Sequence, residues 1–312
     1  MLRRIAPFVL ATCALVGCQG GLLSPSASGD PGSSPAGPVT PQEVAGQWSP
    51  YVNVHGDGEV LLAYRDALSA LQRAGRVQGV RMEIHGNEAL NSVIKTVGAM
   101  GFEVLGLVSN DYLFEPNIEG VIDRIFSTYP EIRYFQIGNE VTTILPPTGP
   151  TITIEQYAAL FQRIYQHVQS RHPGRAILVT QSALGSGMRG PTELETLTTL
   201  ALEHMDPDKV IVAVNAYDPD AVSRYRGLLT GSLRAFRVWV TESGIANPAL
   251  QAMFVRDRYP QLRQYLRAER VYWFVLWGAD SGPDTDFSLI RYPTRYPDYW
   301  KSPLFGLLTG QP

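Results

Sequence analysis

From Gln47 onward the chain repeats a two-part rhythm: a short apolar run, then a longer stretch with apolar residues at helical spacing. The short runs predict strands at Tyr51–His55, Gly79–His85, Phe102–Ser109, Ile132–Val141, Ala176–Thr180, Val210–Tyr217, Phe236–Ile245 and Arg270–Trp277. The stretches between them predict helices at Val60–Ala74, Glu88–Met100, Ile118–Thr128, Thr192–His204 and two further segments. One of these opens at Thr153, where Gln156 completes a capping-box pattern. It carries an apolar stripe of Tyr157, Leu160, Phe161, Ile164 and Val168, and Pro173-Gly174 stops it. Another opens at Asn247-Pro248 and is expected to break at Pro260. Asp218-Pro219 supplies a cap and first turn after the sixth strand, and a short helix near Leu304–Leu308 closes the chain.

Eight strands alternating with helices over about 265 residues predict an α/β fold, a (β/α)8 TIM barrel. Several strands are near-continuous apolar runs, as parallel strands covered on both faces require. An open doubly wound sheet is the alternative, but no Gly-rich phosphate loop follows the first strand.

The first 46 residues break the rhythm. Met1-Leu-Arg-Arg4 is a charged start, Ile5–Val16 is apolar but short for a bilayer span, and Leu15-Val-Gly-Cys18 follows. This resembles a bacterial lipoprotein signal, which implies removal of residues 1–17 and a lipid on Cys18; a plain secretory signal is the alternative. Residues 18–46 are rich in Gly, Ser and Pro and read as a disordered tether, leaving 47–312 as the folded domain. The mature chain would then hold no free thiol, which excludes disulfides and Cys-based metal sites. Loss of Arg3 and Arg4 takes the formal net charge from −3 to −5. With no basic patch interleaved with aromatics, nucleic acid is not an expected partner. The expected location is the bacterial cell envelope, lipid-anchored, with no other membrane segment and the protein monomeric.

Barrel sites lie at the C-terminal ends of the strands. Those ends hold His55, Arg81, Glu83, His85, Asn110, Asp111, Asn139, Glu140, Gln181, Asn215, Tyr217, Glu242 and Trp277. Two glutamates each close an apolar strand: Glu140 in Ile137-Gly-Asn-Glu and Glu242 in Val240-Thr-Glu-Ser-Gly244. A carboxylate there is badly placed for stability unless the strand opens onto a cleft. Two facing carboxylates can hydrolyse glycosides, one donating a proton and the other attacking or activating water. Strict strand alternation puts Asn139 and Glu140 on opposite faces, so a bulge or twist is expected there. Arg81, Glu83 and His85 share one strand face, and Glu83 is expected as the structural partner of Arg81. Trp273 is expected in the core. His167 and His172 are read as surface residues, no metal-ligand spacing is seen, and no cofactor is expected.

Gly138-Asn-Glu140 after strand four and Thr241-Glu-Ser-Gly244 after strand seven resemble clan A of the glycoside hydrolases, the retaining "4/7" barrels. The resemblance covers the whole domain. It implies Glu140 as acid/base, Asn139 as ligand of the sugar 2-hydroxyl, and Glu242 as nucleophile. It further implies that Arg81 and Tyr217 flank Glu242 and that Trp277 floors the first sugar site. His85 and Asn215 are the remaining substrate-binding candidates, and a β-linked glycan is the expected substrate. Ile137-Gly-Asn-Glu-Val141 is similar to the plant and fungal endo-β-1,3-glucanases, but Gly244-Ile-Ala stands where those have Gly-Trp-Pro. A barrel that binds glycan without turnover, and a structural envelope lipoprotein, are the competing readings.

Overall fold

The structure is a computed structural model; it describes residues 50–54, 61–85, 88–143, 152–181, 189–278, 285–291 and 300–310. The signal, Cys18, the tether and His55 lie outside the described residues. Eight parallel strands close into a barrel in sequence order: β1 (Tyr51–Val54), β2 (Gly79–Ile84), β3 (Glu103–Val108), β4 (Tyr134–Ile137), β5 (Ala176–Val179), β6 (Val210–Asn215), β7 (Arg237–Ser243) and β8 (Ala268–Trp273). Closure is the parallel pairing of β1 with β8, Tyr51 opposite Tyr272 and Val52 opposite Trp273. The intervening helices are α1 (Leu61–Ala74), α2 (Glu88–Ala99), α3 (Ile118–Thr128), α4 (Ile154–Arg171), α5 (Arg189–Leu200), α6 (Pro219–Thr230) and α7 (Gln251–Leu266). The expected barrel is the observed one.

Period-two alternation divides the core in two. Outward residues such as Val52, Val80, Met82, Phe135, Ile177, Val212 and Val240 pack beneath the helices. Inward residues fill the lower barrel with aromatics and small aliphatics: Tyr51, Leu105, Tyr134, Leu178, Ala213, Trp239 and Tyr272. The Arg270 guanidinium lies 3.8 Å from the Trp239 ring centre, a cation–π contact that plugs the barrel floor. Above this layer the inward positions turn polar, with Asn53, Arg81, Gln136, Asn215 and Thr241 all buried. The plugged floor and polar upper layer leave the C-terminal mouth as the only barrel end built for chemistry among the described residues.

Helix α4 starts where the capping box predicted: Thr153 Oγ1 accepts from Gln156 N, and Gln156 Oε1 accepts from Thr153 N. Two expectations are corrected. Pro260 does not interrupt α7, which runs unbroken from Gln251 to Leu266. An interior proline costs about 3 kcal/mol. Val255, Tyr259, Leu262 and Leu266 of the same helix are buried, and each such residue is worth roughly 1.5–3 kcal/mol, so packing wins. The eighth strand also ends earlier than its apolar run, at Trp273 rather than Trp277. Val275 and Leu276 are buried at the barrel rim, and Leu276 N donates to Asn53 O. Trp277 therefore belongs to a separate small sheet, β9 (Trp277–Gly278), β10 (Ile290–Arg291) and β11 (Trp300–Lys301), followed by α8 (Pro303–Thr309).

Candidate active site

The β4 strand ends at Ile137, and the chain then turns through two residues with positive φ: Gly138 at 72° and Glu140 at 48°. Gly138 is required there on two counts. Its φ favours glycine, and a Cβ would sit 2.5 Å from Val141 Cγ1 and 2.8 Å from Leu113 Cδ1. Asn110 clamps the turn from the β3 end: its Nδ2 donates to Asn139 O and its Oδ1 accepts from Asn139 N, both at 2.8 Å. Gln136 Nε2 donates to Gly138 O and to Asn139 Oδ1. A glutamate in left-handed backbone is strained by about 1–2 kcal/mol, a cost found at functional positions. The bulge or twist expected at Asn139 takes the form of a tight turn past the end of β4. It delivers both Asn139 and Glu140 to the barrel mouth.

The bulge occurs on β7. The β6–β7 register pairs Val214 with Val240 but Asn215 with Glu242, skipping Thr241. Strict alternation from Trp239 and Thr241, which face inward, would send Glu242 outward. The extra residue re-aims it over the mouth.

Glu242 is 5% exposed and is held by donors from three other strand ends. Oε1 accepts from Arg81 Nη1 at 3.0 Å and from Asn139 Nδ2 at 3.1 Å; Oε2 accepts from Tyr217 OH at 3.1 Å. Arg81, 2% exposed, is itself fixed by Asn53 Oδ1 at 2.8 Å and Gln136 Oε1 at 2.9 Å. Its Nη2 is buried with no partner among the described residues. Asn53 also donates to Thr241 O and Trp273 O, tying β1 to β7 and β8 beneath Glu242.

Glu140 is half-buried and accepts from Asn215 Nδ2 at 2.8 Å. Asn215 Oδ1 accepts from Thr241 Oγ1 at 3.0 Å. Each glutamate is thus tied to the chain neighbour of the other: Asn139, which precedes Glu140, donates to Glu242, and Thr241, which precedes Glu242, donates to the Asn215 that holds Glu140. The carboxylates come from a turn after β4 and from the bulged end of β7, about a hundred residues apart, and their neighbours share one set of hydrogen bonds.

The other predicted positions fall into place unevenly. Tyr217 lies on Glu242 and Arg81 beneath it, as expected. Asn215 holds Glu140. Arg81 is paired to Glu242, while the carboxylate of Glu83, its expected partner, lies 3.4 Å from His85 Nε2. Burial lowers the His85 pKa, but the hydrogen bond and charge of Glu83, with Asp111 beyond, outweigh it, and the net shift is upward. Trp277 is half-buried on the separate sheet, four positions past the end of β8. β8 ends on the buried Trp273, and the aromatic residue just past it is Phe274. It is half-buried, and its ring meets Tyr217 edge-on at 6.2 Å, with Phe287 completing the group. Phe274 was hidden by reading the strand four residues too long. Asn53 and Gln136 were also missed; the available signal was a polar residue at an inward position of each short apolar strand. A separate recess of about 360 Å3 lies beside the β4–α4 passage, lined by Thr142, Ile152, Arg189 and Glu193 among others, and does not include either glutamate.

No family model matches the chain, and no curated protein matches it. Solved structures do share its fold. One is a mannohexaose complex of a β-mannanase from Thermomonospora fusca, 12% identical over 78% of this chain and 83% of that one, with a TM-score of 0.52. Another is the endo-1,4-β-mannanase from Rhizomucor miehei, 11% identical over 79% and 88%, with a TM-score of 0.53. A third is AbfB, a family 51 α-L-arabinofuranosidase from Bifidobacterium longum, 12% identical over 89% and 74%, with a TM-score of 0.54. At these identities the likeness is one of fold: a barrel of eight parallel strands with helices between.

Proposed function

We propose that the protein is a retaining glycoside hydrolase that cleaves β-linked glycans by double displacement. The observation that carries the reading is the shared network of Glu140 and Glu242. Asn139, the residue before one glutamate, donates to the other, and Arg81 and Tyr217 complete the shell of donors around Glu242. The solved glycosidases of the same fold support it at the level of architecture.

In the first step Glu242 attacks the anomeric carbon. Its oxygens accept from three donors, Arg81, Asn139 and Tyr217, an arrangement that suits a carboxylate nucleophile. Glu140 gives its proton to the leaving oxygen as the C–O bond breaks. In the second step Glu140 takes a proton from water, which attacks the glycosyl–Glu242 ester and restores the original configuration. Asn139 changes partner during the cycle. Its Nδ2 lies 3.1 Å from Glu242 Oε1, within reach of the position a sugar 2-hydroxyl would take beside the nucleophile. Asn215 orients Glu140, and Phe274 with Tyr217 offers an aromatic wall for the C–H face of a sugar. On the same reading the protein works at the bacterial cell envelope, held by a lipid on Cys18 as a monomer.

The test is a hydrolysis screen of the purified protein against β-glucans, xylans, galactans and mannans, beside Glu242→Gln. Release of reducing sugar from at least one polymer by the wild type alone supports the proposal. No release from any of them, with polymer still bound, favours a binding barrel instead.

A further inference from the structure

Among the described residues, one group of metal-ligating side chains stands apart from the barrel mouth: Asp123, His167 and His172. In sequence both histidines read as surface residues on or beside an amphipathic helix, and the carboxylate is 44 positions from the nearer one. In the fold, α3 and α4 are neighbours. His172 is the C-cap of α4, with φ −135°, and this non-helical backbone swings its ring back toward His167. The His167 Nε2 lies 2.7 Å from Asp123 Oδ1, and the His172 Nε2 lies 2.6 Å from the same oxygen. All three ligand atoms fall within 4.8 Å of one another.

We propose that these residues form a divalent transition-metal site, of Zn2+ type, clipping α3 to the C-terminal end of α4. Two imidazole nitrogens and one carboxylate oxygen are a borderline-soft donor set suited to zinc, and water would take the fourth position. Tetrahedral ligands about 2.0–2.1 Å from an ion stand roughly 3.3 Å apart. The present contacts are shorter, so an ion enters by small side-chain rotations, each ring then ligating through Nε2 with its remaining proton on Nδ1 and any second proton released to solvent. The side chains can make that adjustment, being 19%, 22% and 38% exposed for His167, His172 and Asp123. The site is nonetheless shaped: the His172 ring stands edge-on to Phe126 of α3 at 5.0 Å. The adjacent Glu119 is already paired with Arg163, so it does not compete for the ion.

The location sets the role. Helices run back from the C-terminal to the N-terminal ends of the strands, so the end of α4 lies at the barrel floor, away from Glu140 and Glu242. The ion would stabilise the helical layer and take no part in turnover.

The experiment titrates the chelator-stripped protein with Zn2+, and separately with Mg2+, by calorimetry and by thermal midpoint. The same is done for His172→Gln and Asp123→Asn. Expected are one Zn2+ per chain in the wild type, a raised midpoint, no such effect of Mg2+, and binding at least tenfold weaker in both variants. Turnover of His172→Gln without metal should match that of the unliganded wild type. Equal Zn2+ affinity in the variants, which would put the ion on other histidines, overturns the proposal. So does an unchanged wild-type midpoint with Zn2+, which would leave a hydrogen-bonded cluster only.

Discussion

Arg81→Met is the most informative single change to the buried network. It keeps an unbranched apolar stem but removes the guanidinium and its three hydrogen bonds, to Glu242, Asn53 and Gln136. The side chains of Arg81 and Glu242 are 2% and 7% exposed, so solvent screens the pair little. Removing one member of a buried ion pair costs about 3–5 kcal/mol, because the other charge stays buried without compensation. Most of that penalty should vanish when Glu242 is already Gln, since no buried charge is stranded. In that background we expect a loss of about 1–2 kcal/mol from Arg81→Met, for the unmet oxygens of Asn53 and Gln136. The coupling between the two sites should therefore be at least about 1 kcal/mol. Urea unfolding of the wild type, both single variants and the double variant measures it. Additive losses would refute the reasoning, because they would mean that Arg81 and Glu242 do not interact as a buried pair. Arg81→Lys should recover only part of the loss, since a point charge cannot make three divergent contacts.

Other expectations are narrower. Gly138→Ala places a methyl 2.5 Å from Val141 in left-handed backbone; it should destabilise by about 2–4 kcal/mol and lower turnover, read by thermal midpoint and by rate on any cleaved substrate. His85 has a raised pKa in the folded protein, so the stability it adds is fully present below its ordinary value of 6.5 and is lost as pH rises through the folded value. The difference in urea midpoint between wild type and His85→Gln should therefore shrink from pH 5.5 to 8, roughly the window in which histidine titrates; a constant difference would contradict the Glu83 pairing. Cys18→Ser should release the protein from bacterial membranes or block its maturation, followed by fractionation; unchanged membrane association and processing would refute the lipid anchor.

The fold was legible because each strand and helix announces itself by period, and eight repeats leave few closed arrangements. The two glutamates were legible because a carboxylate after an apolar strand is costly anywhere but at a mouth. What stayed hidden is set by tertiary packing. The end of β8 is decided by the rim contacts of Val275 and Leu276, not by their hydrophobicity, and the error moved attention from Phe274 to Trp277. Pro260 sits inside α7 because burial of Tyr259 and its neighbours outweighs one missing hydrogen bond. The support of Arg81 by Asn53 and Gln136 depends on barrel closure. The convergence of His167 and His172 on Asp123 depends on the pairing of two helices and on the cap of α4. A local pattern can at most flag such residues, as the inward polar positions of Asn53 and Gln136 do; their partners are set by the closed fold.

The division of labour between Glu140 and Glu242 is the central claim, and azide rescue tests it most directly. Both alanine variants are followed on an aryl β-glycoside with a good leaving group, with and without azide, and the anomer of the product is read by NMR. Glu242→Ala should be inert alone, and azide should yield the glycosyl azide of inverted configuration, because the small anion attacks from the vacated side. Glu140→Ala should still form the glycosyl-enzyme, and azide should release a product of retained configuration. Swapped anomers would reverse the two roles, and full activity in either variant would contradict the mechanism.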